Sequence, residues 1–236
     1  MVIRALGFFT VVGRSAPPDP STLRWFPFAG ALIGVIVGGL WWGAAQLWSP
    51  ALAAALVVAA DLAITGMLHL DGLTDTADGV LPHLGRARRL AVMAEPTVGA
   101  FGVGVAVVVL LVRWAAFAAL APNVVLVGGL WCVARTVMAV ALRAVPYARE
   151  SGGLASAFVG TRSWLGLALV GAICGLGLGV LAAGAAGASA VAVAAVAGGG
   201  VVALGVSRLG GHTGDVLGAA GMMAETIGLV VAAARW

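Results

Sequence analysis

Seven stretches of the chain, at about 27–48, 50–70, 98–120, 122–142, 164–184, 185–206 and 216–234, are apolar over the roughly 20 residues a helix needs to cross a bilayer. Trp25, Trp48, Trp164 and Trp236 fall near the ends of these stretches, where aromatic rings anchor helices at the membrane interface. The pattern predicts an all-α, polytopic integral-membrane bundle of about seven transmembrane helices, with residues 1–236 forming one transmembrane catalytic domain. The fifth and sixth stretches run together in a Gly/Ala/Val-rich tract, parted only at Gly184–Gly187. Ahead of the first, Ala5–Val12 and the Pro-rich turn after it predict an interfacial helix lying along the membrane rather than a cleaved leader. Gly30, Gly34 and Gly38, and again Gly175 and Gly179, recur every four residues, a small-residue face on which helix backbones pack closely.

Composition narrows the function. Of 236 residues, 62% are apolar and 9% charged, against about 45–50% and about 25% in a soluble domain. A conventional soluble enzyme, a disordered chain and a disulfide scaffold are thereby excluded. The net charge of +4 comes from 13 arginines without a lysine, spread too thinly to make a nucleic-acid stripe. Cys132 and Cys174 lie inside apolar runs and read as packing residues. Arg4, Arg14, Arg24, Arg86, Arg88, Arg89, Arg143, Arg149, Arg162 and Arg208 fall in alternate loops, while the turns near Ser49-Pro50, Ala121-Pro122 and Gly184–Gly187 carry no charge. By the positive-inside rule the arginine-bearing loops face the cytoplasm, and the expected location is the plasma (inner) membrane, as a multi-pass protein. Asp71, Asp75, Asp78, Glu95, Glu150 and Asp215 follow the same map, so the polar chemistry gathers at one membrane face.

The densest chemistry lies in His69–Gly79. If the second span continues helically through it, Asp71, Asp75 and Asp78 share an arc of roughly 60°. Three carboxylates so close repel one another, and a divalent cation relieves the conflict. Mg²⁺, which takes few carboxylates and completes its shell with water and phosphate oxygens, suits the set better than a calcium loop does. Asp61 lies mid-span, either as a functional acid or paired with Arg113 or Arg135 inside the third and fourth spans. Glu95 stands before Gly99 and Gly102, a helix-capping acid or a ligand-binding one. Arg149, beside Glu150 and the Gly152-Gly153 pair, suits bidentate phosphate or carboxylate contact, or else only sets the topology of its loop. The turn Arg208–Asp215 exposes backbone N–H groups at a helix start, with Asp215 a further metal ligand or a general base. Glu225 is expected to face the bundle interior. Residues alone therefore point to a membrane phosphotransferase. A CDP-alcohol-type enzyme lacks its Ala-Arg pair here, and a small transporter leaves the three aspartates unexplained.

His69–Gly79 resembles the H-x-D-G-x-x-D-x-x-D-G signature of the cobalamin synthase (adenosylcobinamide-GDP ribazoletransferase) family. Leu6–Thr10, Phe26–Gly30, Met93–Gly102, Tyr147–Glu150 with Gly153-Leu154, and Gly210–Gly218 (G-G-x-T-G-D-x-x-G) resemble further blocks of that family in order. The chain departs from its pattern at Glu95 (usually Asp), Thr97 (often Arg) and Met222 (often Glu). The resemblance implies Mg²⁺-dependent transfer of adenosylcobinamide phosphate from its GDP-activated form to α-ribazole or α-ribazole 5′-phosphate, releasing GMP. It implies Asp71, Asp75, Asp78 and Asp215 as catalytic residues, and Asp71, Asp75, Asp78 and Glu95 at the metal. His69, Arg149, Gly211, Thr213 and Gly214 are implied as substrate-binding residues. The expected partners are these small molecules and the lipid bilayer, with a homo-oligomer left open by the sequence.

Overall fold

A computed structural model describes residues 2–11, 19–149 and 165–236. The described residues form helices without a strand: α1 Val2–Phe9, a 3-10 turn Pro20–Trp25, α2 Phe26–Ala45, α3 Pro50–Ile64, α4 Leu68–Val80, α5 Arg86–Val92, α6 Ala100–Ala119, α7 Val124–Ala144, α8 Leu165–Leu209 and α9 Gly214–Ala232. Five helical segments are long and apolar enough to cross a membrane, or six when α3 and α4 are taken as one broken span.

The tract 165–209 is two arms. Ala183 (φ −155°) and Gly184 (φ +57°) leave helical geometry inside α8. A Cβ on Gly179 would lie 2.6 Å from the Gly187 carbonyl, and one on Gly175 would lie 3.4 Å from Val191. The arms are therefore antiparallel and tightly packed, and the predicted break falls at the start of Gly184–Gly187. Glycine supplies the positive φ at little cost.

The second predicted span is corrected. The helix that begins at Pro50 stops at Ile64, and α4 leaves it at 89°. The Thr65 hydroxyl donates to the Asp61 carbonyl at 2.7 Å, and Gly66 and Met67 both take φ +58°. Two consecutive left-handed residues end the α-helical path. The helix carrying the aspartates is thus separate, 13 residues long and too short to span, turned off the axis of α3.

Buried α7 is the centre of the bundle, packed on α2, α8 and α9. The α2 glycine ridge makes that approach possible: a Cβ on Gly34 would lie 2.6 Å from the Val127 carbonyl, and one on Gly38 would lie 2.9 Å from the Val124 Cα. At the first turn, α1 buries Phe9 against Phe26, ring centroids 4.6 Å apart.

Four charges are buried between these helices. Arg113 on α6 donates to Asp61 on α3 at 2.6 Å and to Glu225 on α9 at 2.8 Å. Arg135 on α7 pairs with the other oxygen of Glu225. The Trp131 Nε1–H donates to Asp61 at 3.2 Å, and the Arg113 guanidinium lies 4.7 Å from the Trp131 ring centroid. Two guanidinium groups and two carboxylates balance, the condition under which ionised groups persist among apolar helices. Asp61 therefore pairs with Arg113, and Glu225 faces inward as expected. Cys132 is buried and Cys174 half-buried, both as free thiols.

Candidate active site

The signature segment places its acids through its glycines. A Cβ on Gly72 would lie 2.8 Å from the Asp215 carbonyl, and Gly218 faces His69 and Gly72 across the same crossing. The D-G pair thus lets the start of α9 lie directly on α4, which brings Asp71 and Asp215 to one cavity. At the far end of α4, Gly79 accommodates the Met93 side chain. Buried Arg89 donates to the Gly79 carbonyl at 2.8 Å and to the Val80 carbonyl at 2.5 Å, satisfying acceptors that a helix C-terminus leaves open.

Three loops are clasped over the crossing. Arg86 donates through Nε to the Leu209 carbonyl at 2.7 Å and through Nη2 to the Ala148 carbonyl at 2.8 Å. The Ala148 N–H donates to the His212 carbonyl at 2.8 Å, and the His212 N–H donates to the Pro146 carbonyl at 2.9 Å. Tyr147 and His212 thus form an isolated parallel bridge. Arg149, carried on this clasp, pairs with Asp215 at 3.0 Å and reaches the Met93 carbonyl at 3.3 Å. Sequence reasoning took Arg86 and Arg89 only as topology-setting charges. Their partners lie in loops distant along the chain, so local pattern held no signal for them.

Two adjoining cavities flank α4 and share Asp71. One, of about 150 Å³, has a polar end formed by His69, Asp71, Tyr147, Arg149 and Asp215 and a hydrocarbon end that includes Phe8 and Leu142. The other, of about 200 Å³, is lined by Asp71, Asp75, Glu95 and the chain from Met93 to Val98. Half-buried Asp75 feels both its burial and the carboxylates of Asp215, Asp71 and Asp78. Against the pull of Arg149, these push its pKa up to about 7.

The predicted residues divide. Asp71, Asp75 and Asp215 are brought together, with exposed Glu95 across the second cavity and paired to Arg88 at 2.9 Å. Asp78 is turned away: its carboxylate accepts from the Gly99 N–H at 2.7 Å and the Gly102 N–H at 2.9 Å, capping α6. The close approach read at Gly99 and Gly102 is therefore to Asp78. Thr213 is fully buried; its hydroxyl donates to Asp215 at 3.2 Å and accepts from the Val216 N–H at 3.3 Å. Gly211 packs on the Pro146 carbonyl, while Gly214 lies on the wall of the first cavity. Buried His69 lines that cavity too. Glu150, Gly152, Gly153 and Arg162 lie outside the described residues.

Among the described residues, no three His, Cys, Asp or Glu side chains gather closely enough to hold a metal unaided. Asp71 and Asp75 form a two-carboxylate set beside a polar cavity, which fits an ion that takes one or two carboxylates and fills its shell with water and substrate phosphate. Like charges crowded around Asp75 are also what a cation would relieve.

The family model described as cobalamin-5-phosphate synthase matches residues 1–233. Proteins named adenosylcobinamide-GDP ribazoletransferase are similar over nearly the whole length. That of Pelodictyon phaeoclathratiforme is 39% identical over 98% of this chain and 94% of its own. That of Chlorobium phaeovibrioides is 32% identical over 94% and 91%. A third, from Bradyrhizobium diazoefficiens, is 34% identical over 98% and 92%. No solved structure matches the chain.

Proposed function

The chain belongs to the cobalamin-5-phosphate synthase family, and from that premise we propose that it transfers adenosylcobinamide phosphate from adenosylcobinamide-GDP to α-ribazole or its 5′-phosphate, releasing GMP. It is a transferase of cobalamin biosynthesis. The observation that carries the finer reading is the crowding of Asp75 by Asp71 and Asp215 beside Arg149, an acidic and a basic partner for one diphosphate.

Asp71 and Asp75 would hold Mg²⁺, with Glu95 on the opposite wall of the cavity. When bound, the ion neutralises charge on the diphosphate oxygens. Arg149 is placed to release Asp215 and take phosphate oxygens, a guanidinium being suited to either partner. Asp215, so released, accepts the proton of the ribose hydroxyl that attacks the cobinamide-linked phosphorus. The new P–O bond joins ribazole to the corrinoid, and the bond to GMP breaks. Thr213 holds the Asp215 carboxylate and caps α9, so the base is fixed before substrate arrives. The arginine-bearing loops, and the site with them, face the cytoplasm.

Purified protein incubated with adenosylcobinamide-GDP, α-ribazole and Mg²⁺ is expected to yield joined corrinoid and GMP. Asp75→Asn is expected to abolish GMP release while the protein still accumulates folded in membranes. Near-normal turnover of that variant would remove the metal role from this segment.

A further inference from the structure

We propose that the 150 Å³ cavity between α1, α4, α7 and α9 is the seat of the aromatic base of the nucleoside acceptor, read by the Nε2–H of His69. This rests on the transferase reading above and adds which substrate the cavity takes, which part of it, and through which atom.

The cavity has two ends. Toward the bundle its walls are hydrocarbon and aromatic, with Phe8, Phe26, Met138 and Leu142 among them. Toward the clasp it reaches Asp215 and Asp71, the latter shared with the second cavity. Its volume is that of one fused ring system. A corrinoid macrocycle is many times larger than that.

His69 is the polar feature that separates one base from another. Only 5% of its surface is exposed, and its Nε2 has no hydrogen-bond partner among the described residues. Its Nδ1 lies 3.4 Å from Nη2 of Arg135. A guanidinium has no lone pair to offer, so Nδ1 accepts and the ring proton resides on Nε2. Arg135 is itself fixed by Glu225, Glu225 is held by Arg113, and Arg113 by Asp61. The buried charge network thereby sets the tautomer of His69, and a buried N–H left unpaired is costly until a ligand accepts from it.

The unpaired Nε2–H, where the polar end meets the hydrocarbon walls, matches a base with a single acceptor nitrogen and an otherwise apolar outline. The benzimidazole ring of ribazole has that character. With the base seated here, the ribose extends toward Asp71 and Asp215, where the hydroxyl proton is taken. Asp71, common to both cavities, then stands between nucleoside and diphosphate.

The test is equilibrium dialysis of α-ribazole against the purified full-length protein in lipid nanodiscs, without metal or corrinoid. His69→Phe, which removes the donor, and Leu142→Phe, which fills the cavity and keeps the donor, are each expected to weaken ribazole binding about ten- to a hundredfold. Both should leave adenosylcobinamide-GDP affinity within about twofold, and His69→Gln should restore part of the loss. On the unsubstituted protein, free dimethylbenzimidazole is expected to displace ribazole and GMP is not, a measurement that needs no variant. Ribazole affinity unchanged in the variants, or displacement by GMP but not by the benzimidazole, would overturn the assignment. An unsubstituted protein that makes product while the variants bind ribazole normally sinks the cavity alone. One that neither binds ribazole nor makes product sinks the transferase reading, and the assignment with it.

Discussion

Asp75 and Asp78 stand less than one turn apart on α4, yet their surroundings give them different work. Both oxygens of Asp78 are spent on the Gly99 and Gly102 amides, so Asp78→Ala removes the cap of α6. A loss of about 1–2 kcal/mol is expected, seen as a lower thermal midpoint in detergent, with Mg²⁺ affinity changed far less than in Asp75→Asn. For Asp75 the sign of the pH effect follows from its pKa of about 7, against 3.8 for an ordinary aspartate. Between those values the folded protein keeps a proton that the unfolded chain has lost, so metal-free stability falls as pH rises from about 4 to 7. Melting in chelator should therefore give a lower midpoint at pH 8 than at pH 5, with Mg²⁺ restoring more at pH 8; the reverse order would contradict the crowding of carboxylates. Spacing alone made these aspartates legible as a cluster on one face. It could not separate Asp78 from the others, because the amides that claim it are contributed by the start of the next long helix.

At the scale of elements, glycines legible as packing faces did pack: Gly34 and Gly38 lie on α7, and Gly179 lies on Gly187. The bend between α3 and α4 was not legible. Thr65-Gly66-Met67 contains no proline, apolar residues continue on both sides, and a positive φ at methionine has no signature in sequence. The bend nonetheless decides which way the aspartates face. The crossing it sets up has little slack at Gly72, where an added methyl would meet the backbone of Asp215. Gly72→Ala is therefore expected to push α9 from α4 and lower GMP release about a hundredfold, the scale that an ångström of misplacement costs, while the protein still inserts. Retention of full activity would mean that Asp71 and Asp215 need not share one cavity.

Across the whole molecule, the loops that carry arginine also carry the site, and the clasp of Arg86 to Leu209 and Ala148 joins them. The alternation of charged and uncharged loops already placed the chemistry at one end of the bundle; the clasp itself depends on tertiary pairing that no local pattern encodes. A cysteine introduced beside Arg88, in a background lacking Cys132 and Cys174, should label from the cytoplasmic side only; labelling from outside would invert the orientation.

The pairing of Glu225 with two arginines has a consequence for how the protein is made. Arg113 and Arg135 belong to helices translated well before α9, and until that helix arrives the ion pairs among the described residues leave them one carboxylate, Asp61 on Arg113. A nascent chain halted before residue 214 would carry an excess cation within the bilayer, a costly state. Electroneutrality comes with α9, so a helix made later is the one that makes the earlier ones tolerable in lipid.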